Sequence, residues 1–73
     1  MKQEVCYCIE IDGVLRIIGK TKESALKALV TEQWIDESIF IQSFGENWLP
    51  FLVAHSDDLE RLDDVVMWEQ TFY

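Results

Sequence analysis

His55, Ser56 and Asp57 stand consecutively and carry the residue types of a nucleophilic relay. Three neighbours on one backbone cannot generally align their side chains that way, because relays assemble from distant positions. His55 therefore reads as a histidine at a strand end. Cys6 and Cys8 are the only thiols. Two residues apart on a strand, they share a face at roughly 6.5–7 Å between Cα atoms, too far for a relaxed disulfide. A zinc site needs more ligands than this pair, and His55 is the only histidine to recruit. Two buried free thiols are expected. Gly13, Gly19 and Gly45 form no phosphate-cradling pattern. No window has the alternating acids, sixth-position glycine and twelfth-position glutamate of a calcium loop. The carboxylates are many, but nothing singles out one pair for glycoside chemistry. The chain is expected to be no enzyme and to use no metal or cofactor.

The carboxylates themselves remain. In DDLERLDDVVMWEQTFY, Asp57 to Tyr73, five acids fall within eight residues against one base, Arg61. Net charge is −8. Residues 1–27 hold five bases and four acids, whereas residues 28–73 hold ten acids and Arg61 alone. Such a surface repels nucleic acid and anionic lipid and attracts basic partners. No apolar run is long enough to span a membrane. MKQEVCYC has no apolar stretch behind its basic start, as a leader would, so a cytoplasmic protein is expected.

Elements must position these groups. At 73 residues, 49% hydrophobic and 27% charged, the chain has the balance of one small globular domain. EVCYCIEIDGVLRIIGK reads as a β-hairpin, with Asp12 and Gly13 the pair a two-residue type I′ turn requires. That turn sets Ile11 opposite Val14, Ile9 opposite Arg16 and Tyr7 opposite Ile18. Val5, Tyr7, Ile9, Ile11, Val14 and Ile18 would then share the core side. Thr21 caps a helix from about Lys22 to Trp34 whose apolar side is Ala25, Leu26, Leu29 and Val30. SIFIQSF is either a strand over residues 38–44, favoured by its β-branched content, or a short helix capped by Asp36. FLVAH reads as a further strand, which Pro50 would confine to a sheet edge or a strand start.

The acidic segment follows. At helical steps Leu59, Leu62 and Val66 form one stripe, with Asp57, Glu60 and Asp64 opposite and Asp57–Glu60 spaced as a capping box. VVMWEQTFY alternates into a final strand, Val66, Trp68 and Phe72 on one side, Met67, Glu69 and Tyr73 on the other. The expected order is β-β-α-β-β-α-β, an α+β fold with two amphipathic helices on one face of an antiparallel sheet. Most of the nine aromatics must be core, with Trp48 and Tyr73 the two expected to stay outside.

Acids in the first turn of the acidic helix complement its dipole, by roughly 0.3–1 kcal/mol each. Asp63 and Asp64 oppose the dipole if the helix reaches them. The conflict vanishes if it stops at Leu62 or if the pair turns into the last strand. Two functions follow. In the first, Asp36, Glu37, Glu46, Asp57, Asp58, Glu60, Asp63, Asp64 and Glu69, with Trp48 and Tyr73, meet a basic protein surface that ordinarily holds phosphates. Arginine and lysine accept carboxylate by the same charge-assisted geometry. In small size, acidity and lack of a catalytic motif, the chain resembles phage-encoded host-takeover proteins, anti-CRISPR proteins and DNA-mimic inhibitors among them. The resemblance is one of overall character and implies no family. In the second, the chain is an accessory or self-associating subunit that pairs through its apolar C-terminal strand, with homodimerisation as one outcome.

Overall fold

The computed structural model describes residues 4–72, with β1 at Glu4–Ile11 and β2 at Val14–Gly19 on either side of Asp12 and Gly13. Both turn residues hold the positive φ of a type I′ turn, 54° and 77°. The strands pair antiparallel, but not in simple register. Ile11 faces Val14 and Glu10 faces Leu15, after which a bulge makes Arg16 the extra residue and sets Ile9 opposite Ile17. One inserted residue moves every later side chain of β2 to the other face. Ile17 is consequently in the core at 4% exposure, while Ile18, expected there, is 62% exposed. Arg16 lies with its guanidinium 4.9 Å from the Trp34 ring.

The chain then forms α1 (Lys22–Thr31). Thr21 caps it as expected, its hydroxyl accepting from the Ser24 N–H at 3.0 Å, and Ser24 returns the bond to the Thr21 N–H. The helix ends before Trp34 because Gln33 turns left-handed, φ 63°, and the N–H groups of Gln33 and Trp34 bond to the Val30 and Leu29 carbonyls. This is a Schellman closure, made here without glycine. Gly19 fits where β2 runs into α1, since a Cβ there would stand 2.8 Å from the Ala25 nitrogen.

The middle of the chain is helical: SIFIQSF takes the Asp36-capped helix and not the favoured strand, and FLVAH, expected as a strand, is helical through Ala54. Residues Glu37–Phe44 form α2 and Trp48–Ala54 form α3. Asp36 starts α2 by accepting from the Ser38 N–H at 3.2 Å. Phe40 and Phe44, four apart, face inward, leaving the β-branched Ile39 and Ile41 outside. Pro50 is the third residue of α3, within the first turn, where its missing N–H has no helical partner to lose. Trp48 is buried, contrary to expectation, and stacks on Phe40 with centroids 4.5 Å apart. Trp34 is the tryptophan left 43% exposed.

The acidic segment is a 3-10 helix, Ser56–Arg61, rather than an α-helix with a capping box. His55 precedes it without a side-chain cap, and Leu59 is its buried anchor. β3 (Val65–Phe72) then pairs antiparallel with β1 along its length, Ile11 opposite Val65 through Glu4 opposite Phe72. The sheet order is β2-β1-β3, and the architecture is α+β with order β-β-α-α-α-β once the 3-10 helix is set aside. Ile9, Ile17 and Val65 join Leu26, Leu29, Phe40, Leu52 and Leu59 in a single core on one face of the sheet. Each such side chain contributes about 1.5–3 kcal/mol on burial. No helix among the described residues is long and apolar enough to cross a membrane.

Candidate functional site

Asp57, Asp58 and Glu60 project from the 3-10 helix. At three residues per turn, positions three apart eclipse, so Asp57 lies in line with Glu60 and Asp58 with Arg61. Asp58 and Arg61 do pair, at 3.5 Å. The guanidinium also donates to the Ser43 carbonyl at 3.4 Å and lies 5.3 Å from the Phe44 ring, tying the 3-10 helix to the end of α2. Asp57 and Glu60 stay exposed.

Asp63 and Asp64 lie beyond the helix, in the turn into β3, so the dipole conflict does not arise. Asp64 has φ 70°, a left-handed conformation that aspartate tolerates better than most side chains. Its carbonyl accepts from the Asp12 N–H at 2.9 Å, which joins the hairpin tip to this turn. Asp12, Asp63 and Asp64 are all exposed at that end of the sheet. In the sequence Asp12 reads only as a turn residue. Nothing local in the sequence marks it as a neighbour of a turn more than fifty positions away.

The other proposed contacts lie elsewhere. Asp36 is occupied as the cap of α2, and Glu37 accepts from the Trp48 indole N–H at 3.3 Å. Lys27, Glu37, Glu46 and Trp48 line one shallow recess, where the lysine offsets part of the charge. Glu69, on β3, accepts from the Tyr7 hydroxyl at 3.0 Å. That hydrogen bond, followed by desolvation and the carboxylate's charge, raises the Tyr7 phenol above its ordinary pKa. Tyr73 and the side chain of Phe72 lie outside the described residues. Among the described residues only two ion pairs form, Lys27–Glu23 and Arg61–Asp58.

His55 ends α3, its imidazole 5.0 Å from the Phe51 ring. Cys6 and Cys8 are buried side by side, their sulfurs 3.8 Å apart, and burial followed by the contact with Cys6 raises the Cys8 thiol. Among the described residues no three potential ligands gather as a metal site. The sheet face turned away from the helices carries Leu15, Ile18, Val66 and Trp68 around this thiol pair, with Leu15, Ile18 and Val66 more than 40% exposed. Comparison with protein-family models, curated proteins and solved structures finds no match to the chain.

Proposed function

We propose that the chain is a non-enzymatic acidic module, an inhibitor or modulator that presents carboxylates to the basic surface of a nucleic-acid-binding protein. The observation that carries this reading is the run of exposed acids from Asp57 through Glu60 to Asp63 and Asp64, extended by Asp12, with Arg61 already engaged by Asp58 and Lys22 set back over the Tyr7 ring. Carboxylates held on a short helix and two tight turns lose little freedom on binding, and arginine or lysine built for phosphate accepts them. The DNA-mimic and anti-CRISPR proteins of phages would be its functional counterparts, and a nucleic-acid-binding target would place it in the cytoplasm.

Such a complex forms by electrostatic steering and weakens with salt. A nuclease-treated pull-down from host lysate, eluted by a salt step and read by mass spectrometry, is expected to release a basic nucleic-acid-binding protein. The variant Asp57→Lys/Glu60→Lys/Asp63→Lys should keep the wild-type circular dichroism and lose affinity for that protein by about tenfold or more, roughly 1.4 kcal/mol. A folded variant that binds the same partner unchanged sinks the proposal.

A further inference from the structure

The two edges of the sheet differ. At β2 the edge is six residues long, broken by the bulge at Arg16 and followed directly by Lys20. Bulges and basic residues are the means by which proteins blunt an edge against further pairing. β3, at the other edge, is eight residues long and pairs with β1 without a register shift, and it contains no proline. Asp12 and Asp64 are a hydrogen-bonded pair, so by antiparallel alternation Val66, Trp68 and Gln70 turn their backbone groups toward β1. Met67, Glu69 and Thr71 turn theirs away, toward the free edge. Val65 also faces outward, but its N–H is taken by the Leu62 carbonyl.

Chemistry alternates along this edge. The side chains of Met67 and Glu69 lie on the helix face, where a recess opens between them and Ser56 and Asp57. Asp63 and Asp64 stand at the start of the strand and Asp57 beside it. Among the described residues Lys22 is the one cation that lines the recess, set back over the Tyr7 ring at 5.9 Å. On the opposite face the same strand shows Val66, 42% exposed, and Trp68. A strand added here would direct alternate residues to acids and to apolar surface.

We propose that the edge of β3 from Met67 to Thr71 takes an extended partner segment, alternating basic and apolar residues, as a fourth strand of the sheet. Its basic residues lie opposite Met67 and Glu69, within reach of Asp57, and its apolar residues extend the patch of Val66 and Trp68. Main-chain bonds to Met67, Glu69 and Thr71 supply affinity, and the alternation supplies selectivity. The inference rests on the proposed function only for the partner's basic character.

The test uses a synthetic peptide of about seven residues, the length that such an edge can pair, alternating lysine and valine, with a glutamine-for-lysine version beside it. Amide NMR on the intact chain is expected to show the Met67, Glu69 and Thr71 N–H groups newly protected from exchange. Glu69→Pro removes one outward donor without touching the bonds to β1 and should weaken binding by about tenfold or more. Glu69→Gln, which keeps that donor, should weaken it less. Unchanged exchange at those amides while Asp57, Glu60 and Asp63 shift overturns the strand and leaves the carboxylate reading standing. Equal binding by the glutamine peptide, with the amides protected, keeps the strand and removes its need for a basic partner. Protection of the same amides without peptide, in a dimer seen by sedimentation, overturns the proposal in favour of a second copy.

Discussion

Tyr7 and Cys8 are adjacent on β1 yet face opposite sides of the sheet, and both hold their protons more tightly than usual for different reasons. The Tyr7 hydroxyl donates to the Glu69 carboxylate, which ionisation of the phenol would turn into a repulsion. The Cys8 sulfur is buried, where a thiolate is poorly solvated. Both raised groups act on stability with one sign. As pH climbs past the ordinary values of 9.0 for cysteine and 10.0 for tyrosine, the unfolded chain loses these protons first. Their contribution is therefore complete below about pH 9 and is lost as pH rises through the folded values. Melting temperature should fall more steeply above that point in the wild type than in Tyr7→Phe/Cys8→Ala. Equal alkaline slopes for the two proteins would mean that neither contact matters to folding.

Among the elements, α2 runs against local preference, since its β-branched content favours a strand over the short helix that Asp36 would cap. Ile39 and Ile41 prefer strands, and eight residues are too few for a helix to persist alone. The helix is held at its start by the Asp36 cap and along its length by Phe40, stacked on Trp48 and fully buried. Asp36→Ala should destabilise the protein by about 0.5–2 kcal/mol in urea unfolding. Hydrogen exchange in the same variant should rise first at the amides of the first turn of α2. Exchange that rises evenly over the whole chain would show that the cap supports the global fold only. The 3-10 helix makes the converse case. Its acids suit the back of an α-helix, but the chain leaves helical geometry after Arg61, and Leu62 is extended, the early stop that relieves Asp63 and Asp64 of the dipole.

For the molecule as a whole, charge is the dominant feature. Ten acids against Arg61 in residues 28–73 repel one another across a domain with a radius of gyration of 12.1 Å. Raising salt from about 0.01 to 0.15 M shortens the screening length from roughly 30 to 8 Å. The melting temperature should rise with it, by several degrees if about 1 kcal/mol of repulsion is removed. Neutralising Asp57, Glu60 and Asp63 to the amides should shrink that rise. An identical salt response in the neutral variant would locate the repulsion elsewhere.

Interactions closed within a few residues were legible from the chain alone. The Asp12–Gly13 turn, the Thr21 cap and the period-two alternation of β3 each depend on near neighbours, and each stands in the structure. The acidic character of the second half is likewise a property of composition. Tertiary structure decided the rest, because the deciding contacts join distant residues. Phe40 on Trp48 and Arg61 on Ser43 favour helices where local preference favours strands, and Pro50 suits the first turn of a helix as well as a strand start. The bulge at Arg16 is set by which side of β2 must meet α1, and it moves Ile18 from the core to the open face. The meeting of Asp12 with Asp64 and the place of β3 at the sheet's outer edge arise only when the last strand pairs with the first. Residue types place carboxylates on the chain, but pairing over more than fifty positions brings Asp12 to Asp63 and Asp64 at one end of the sheet.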